Sequence, residues 1–138
     1  MTGYGNTSLY RETEVLSSSP ARLVPLLYGR LLVRLRRGIR QIEKGDIEGK
    51  FESLAGAADI VAELLGALDF EAGGELAGRL ASLYGFWVTE MSSAGRELNP
   101  QRLERVADMV ASLSEAWVGA ARLVEAGEAS DEAPEVRT

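Results

Sequence analysis

This chain of 138 residues is 46% hydrophobic and 26% charged, values that describe one ordinary globular domain able to bury its own core. Its formal net charge of −6 argues against a general nucleic-acid binder. It has no His and no Cys, which excludes Ser-His-Asp and Cys-His nucleophile systems, the usual zinc sites and the Glu-x-x-His motifs of di-iron bundles.

Residues Met1 to Ser19 contain no basic region followed by an apolar run, so no signal peptide is expected. They show no sustained period, yet Tyr4, Leu9, Tyr10, Val15 and Leu16 are more apolar than a solvated tail requires. The reading is a short N-terminal segment, residues 1–19, partly docked on the domain that follows. Ser17 to Ser19 then precede Pro20, a pairing that suits a helix start.

Four amphipathic helices are predicted after it, making residues 20–126 a helical bundle domain. The first runs from about Pro20 to Lys44, with Val24, Leu27, Leu31, Leu35 and Ile42 inward. Pro25 falls in its first turns and would kink or delay the start. Gly45 stops this helix, and Asp46 caps a second that runs to about Leu68. Its inward seam reads Ile47, Phe51, Leu54, Ala58, Val61, Leu65 and Leu68. Asp69 to Gly74 forms a short loop with a frayed turn, because Gly73-Gly74 is a strong breaker. The third helix spans roughly Glu75 to Glu97, with Leu76, Leu80, Leu83, Trp87 and Met91 inward. Asn99-Pro100 opens a fourth, which reaches about Glu125 through Leu103, Val106, Val110, Leu113, Trp117, Ala120 and Val124. Gly127 and the acids after it predict an acidic disordered tail over residues 127–138. Short connections make sequential helices antiparallel, so the fold class is all-α, an up-down four-helix bundle. No run of about eighteen uncharged apolar residues occurs, so no membrane insertion is expected. Several glycines fall inside these helices, each costing up to about 1 kcal/mol, and they either admit close approach between helices or are simply tolerated.

Two surface features exceed what a bundle needs. Arg22, Arg30, Arg34, Arg36, Arg37, Arg40 and Lys44 crowd the first helix, opposed there by Glu43 alone, while the second helix is acidic. Either the two helices lie side by side with solvated faces, or Arg30, Arg34 and Arg37 meet an acidic partner. On the second helix Ala57, Ile60, Leu64 and Ala67 form another stripe beside the seam, and Tyr84 and Val88 lie off the seam of the third. Ala57, Ile60, Leu64, Tyr84 and Val88 are therefore predicted to line a groove for a partner's amphipathic helix. The carboxylate pairs Asp59 with Glu63 and Glu71 with Glu75 fit exposed helix surfaces, so neither a metal nor another cofactor is called for. The function class is binding, not catalysis. A homodimeric structural or signalling bundle, paired through the second helix, is the alternative.

The order of motifs along the chain adds a resemblance. Val15-Leu16-Ser17-Ser18-Ser19-Pro20-Ala21-Arg22-Leu23, then Leu26-Leu27-Tyr28-Gly29, resembles the start of the FliS family, the flagellin-specific export chaperones. The similarity continues through Ile60 to Leu64, Leu68-Asp69, Gly73 to Ala77, Leu80 to Tyr84, and Leu113 to Trp117. Tyr10 matches the family's upstream tyrosine and is the residue expected to dock the N-terminal segment. Gly29, Arg79 and Gly85 depart from the family pattern. The resemblance implies a cytoplasmic bundle that binds the C-terminal amphipathic region of flagellin, prevents premature polymerisation and keeps the client competent for flagellar type III secretion. It also implies contact with the flagellar export apparatus.

Overall fold

A computed structural model describes the backbone of residues 20–137 and the side chains of residues 23–120 and 123. The N-terminal segment and its predicted docking residue Tyr10 lie outside the described residues. Four helices follow in order: α1 (Pro20–Lys44), α2 (Ile47–Gly66), α3 (Phe70–Glu97) and α4 (Pro100–Arg137). Among the described residues there is no strand. Each helix packs on the next, and α4 closes the ring against α1. With connections of two or three residues the neighbours run antiparallel, and the result is the up-down bundle expected from the sequence.

The ends of the helices follow from local chemistry. Gly45 takes a left-handed φ of 76°, which lets its N–H reach back to the Ile42 carbonyl and ends α1. The Asp46 carboxylate then accepts from the Gly49 N–H at 2.9 Å and caps α2. Asp69 caps α3 by accepting from the N–H groups of Glu71 and Ala72. Gly74, at φ 51° and ψ −125°, breaks α3 after one turn, so the predicted loop is a capped turn followed by the main helix. Asn99 caps α4 by accepting from the Arg102 N–H at 3.1 Å. Helical backbone runs through Pro25, and α4 continues past Gly127, beyond the end near Glu125 that the sequence predicts. Glu-Ala pairs on either side of Gly127 favour helix and offset a glycine cost of about 1 kcal/mol.

Leu98 holds a left-handed φ of 54° at the end of α3, where a Cβ crowds the carbonyl. It is exposed, so its side chain gains little in return. Leu98→Gly is expected to raise stability by roughly 1 kcal/mol in urea denaturation, since the native backbone is kept and the strain removed.

The core runs through all four helices. Leu27, Leu31 and Leu35 of α1 meet Leu103, Val106 and Val110 of α4, all fully buried, as the sequence predicts. On α2 the expectation holds only in part, with Val61 buried and Leu54, Ala58 and Leu68 half-buried against the core. Ala57, Ile60 and Leu64 are buried with Val61, while Ile47, Phe51 and Leu65 of the predicted seam are exposed. The apolar arc of α2 is about half its circumference, and the half carrying Ala57 and Leu64 turns inward. On α3, Leu80, Trp87 and Met91 are inward as expected, joined by Tyr84, whereas Leu76 is exposed in the first turn after the Gly74 break.

Candidate functional site

The face of α2 that the core leaves uncovered forms a groove with α3, of about 390 Å³. Phe51, Leu54 and Ala58 of α2 line one wall, and Val88 and Met91 of α3 the other. Residues 51, 54 and 58 are spaced by three and four, so they share a helix face, and 88 and 91 do the same. Leu54 sets the depth of the groove. It packs against Gly38 of α1 and Gly95 of α3, where an added Cβ would stand 3.2 and 2.9 Å from its methyl groups. Those two glycines therefore let three helices close around one leucine, which answers the question their positions raise in the sequence.

Cations mark one end of the groove. The Lys50 ammonium donates to the Gly95 carbonyl at 3.0 Å, tying the start of α2 to the end of α3. Arg96 donates to Ser92 Oγ at 3.1 Å from the same end of α3. Both cations sit close to the last carbonyls of α3, where the helix dipole favours positive charge.

The core itself holds an aromatic cluster. The Tyr28 and Tyr84 hydroxyls share a 2.7 Å hydrogen bond between α1 and α3. Trp87 stands edge-on to Tyr28 at 6.3 Å and tilted against Tyr84 at 5.3 Å, and Tyr28 also meets Trp117 of α4 edge-on. Burial pushes both phenols above their ordinary ionisation range. The shared bond adds to this shift at Tyr28 and offsets part of it at Tyr84. The indole N–H of Trp87 is buried without a hydrogen-bond partner among the described residues. At the other side of α3, Arg102 forks onto Glu90 at 2.8 and 3.1 Å and reaches Glu97 at 3.0 Å. Hydrogen bonding from Arg102 holds the Glu90 carboxyl below its usual range. This clasp fastens α3 to α4 and had no signal in periodicity.

The structure separates the residues predicted to contact a partner. Ala57, Ile60, Leu64 and Tyr84 are in the core and offer no surface, which corrects their placement in the groove. Val88 is exposed and does line the groove. The α2 wall of the groove is instead Phe51, Leu54 and Ala58, which the sequence reading assigned to the seam. Phe51 is the telling residue, at 71% exposed. Such a wall can hold an apolar helix face. Among the described residues no acidic cluster is placed to hold a metal ion, and no helix is long and apolar enough to cross a membrane.

The family described as "Flagellar protein FliS" matches residues 3–124. The chain is 34% identical to the flagellar secretion chaperone FliS of Salmonella typhimurium, covering 77% of this chain and 79% of that one. It is 31% identical to the protein of that name in Vibrio cholerae, over 77% and 78%. Identity to the Bacillus subtilis protein of that name is 27%, over 78% and 80%. With a family match across nearly all of the bundle and relatives of the same extent, this chain belongs to the FliS family.

Proposed function

We propose that this chain is a flagellar secretion chaperone that binds newly made flagellin in the cytoplasm, through the client's C-terminal amphipathic region. The open α2–α3 groove carries this reading. A soluble chain that leaves Phe51 exposed beside Leu54, Ala58 and Val88 keeps an apolar surface for something else to cover. An amphipathic helix presents apolar anchors every three or four residues, the spacing of the wall residues on α2. Ala57, Ile60, Leu64 and Tyr84 then act from behind, by fixing the rotation of α2 and α3. A client segment that is disordered when free folds as it docks, and the ordering entropy offsets part of the contact energy. That balance prevents premature polymerisation while still allowing release to the export apparatus. The chain performs no reaction in this role.

The test is calorimetric titration of the full chain with a peptide of the flagellin C-terminal region. Phe51→Asp removes an apolar anchor of roughly 2 kcal/mol and adds a charge, so binding should weaken by well over tenfold. Far-UV circular dichroism should be unchanged, because Phe51 lies outside the core. Normal peptide binding by a folded Phe51→Asp chain would move the client elsewhere. The exposed Ile47, Phe51 and Leu65 on one helix also favour a homodimer through α2. Sizing across a dilution series separates the two readings: peptide-independent dimers with no peptide binding would support the homodimer.

A further inference from the structure

The outward face of α1 carries a pattern that the client groove does not use. Leu26, Arg30, Val33, Arg37, Arg40 and Lys44 alternate spacings of four and three residues, and all six are exposed. This is the spacing of a helix-packing seam, repeated on the side of α1 that faces away from the bundle. The core stripe of Leu27, Leu31 and Leu35 lies on the opposite side. Two rows run along the seam at seven-residue intervals: Arg30, Arg37 and Lys44 in one, and Leu26, Val33 and Arg40 in the other. From Leu26 to Lys44 the stripe is about 27 Å long.

Among the described residues no ion pair neutralises its cations. Among the described residues the ion pairs are those of Arg102 with Glu90 and Glu97, and none involves α1. Arg34, grouped with this face in the sequence, turns instead toward α2, where its guanidinium lies against Gly56. The acids Glu52, Asp59 and Glu63 share the Gly56 side of α2 but form no ion pair with α1 among the described residues. On the other flank, Arg36 and Arg40 line a shallow groove with Glu43, Glu104 and Asp108. Arg30, Arg37 and Lys44 therefore stand as a cationic row on a chain whose net charge is −6.

We propose that this stripe docks an acidic helix of a partner protein, packed along α1 with carboxylates opposite Arg30, Arg37 and Lys44. Small apolar side chains of that helix cover Leu26 and Val33. The charge row selects an acidic occupant, and the three-four spacing selects a helical one. Arginine favours this choice further, because its planar fork pairs with a carboxylate through two parallel hydrogen bonds. An anionic membrane fits less well. Adsorption to lipid needs a broad apolar face, and α1 has spent its own on the core, leaving Leu26 and Val33 outside. The net negative charge of the chain also opposes approach to an anionic bilayer.

The test uses the full chain and a synthetic helical peptide with Glu at alternating three- and four-residue spacing on an alanine-rich background. A peptide of the same composition with scrambled Glu positions is the control. Vesicles containing 30% phosphatidylglycerol form a third arm. Binding of the patterned peptide is expected to exceed that of the scrambled one. Arg30→Glu/Arg37→Glu/Lys44→Glu should lower it about tenfold, because each substitution replaces an exposed attraction with a repulsion. The milder Arg30→Gln/Arg37→Gln/Lys44→Gln should give a smaller loss in the same direction. Both variants change exposed positions only, and circular dichroism confirms that each is folded. Binding of the flagellin peptide should be unaltered in both, which separates this stripe from the client groove. Equal binding of the two peptides, no binding of either, or no loss in the variants would overturn the proposal. Vesicle binding in place of peptide binding would overturn it in favour of a lipid surface.

Discussion

Replacing Leu64 with aspartate is expected to unfold the bundle. Leu64 is 1% exposed, packed among apolar side chains of α2 and its neighbours. An aspartate there must be buried unpaired or held protonated, after losing the packing of a leucine. The combined cost exceeds about 4 kcal/mol, a large part of the 5–15 kcal/mol typical of a domain. Leu65→Asp is the matched control. One residue further turns the side chain by about 100°, onto the face where Leu65 is exposed, and the melting curve should move little. Thermal melts followed at 222 nm read both variants. A cooperative Leu64→Asp melt close to that of the parent would mean that α2 is rotated from the packing described above.

Trp87→Ala should produce the next largest loss, of about 3–5 kcal/mol in urea denaturation. Trp87 is fully buried and touches both members of the Tyr28–Tyr84 pair, so its removal leaves a cavity beside the hydrogen bond that joins α1 to α3. Trp87→Phe should cost far less. It keeps an aromatic ring in contact with both tyrosines and removes an indole N–H that has no partner among the described residues. An alanine variant as stable as the phenylalanine one would show that ring packing at this point contributes little.

Why the sequence was readable on α1 and α4 but not on α2 follows from how apolar and charged residues divide each helix. On α1 most of the cations lie away from the buried Leu27, Leu31 and Leu35, so period and charge agree on the rotation. On α4, Leu103, Val106 and Val110 form the core seam, and all three are fully buried. On α2 the acids Glu48, Glu52, Asp59 and Glu63 mark the polar side, leaving an apolar arc twice as wide as one contact. Periodicity locates such an arc and cannot say which half meets the core. The half with Ala57 and Ser53 is the one that fits against α1, because its small residues permit close approach. Phe51, too large for that contact, is left for the groove. Tyr84 escaped for a different reason: its partner is the hydroxyl of Tyr28, 56 positions away, and no local pattern records a bond of that range. That α2 and α3 carry more apolar surface than the core covers was legible as a surplus of apolar residues. Its side of the helix was not.

Leu54 belongs to two structures at once. Its methyl groups are wedged between Gly38 and Gly95 in the bundle, and the same side chain forms the floor on which a client would rest. Grip and foldedness are thereby tied to a single residue. A change that reshapes the floor also alters how tightly three helices close, and any occupant pressing on Leu54 reinforces the joint behind it. Selection acting on either property must therefore move the other, so that the groove can change shape first at its rim, at positions such as Phe51 and Val88, and last at its floor.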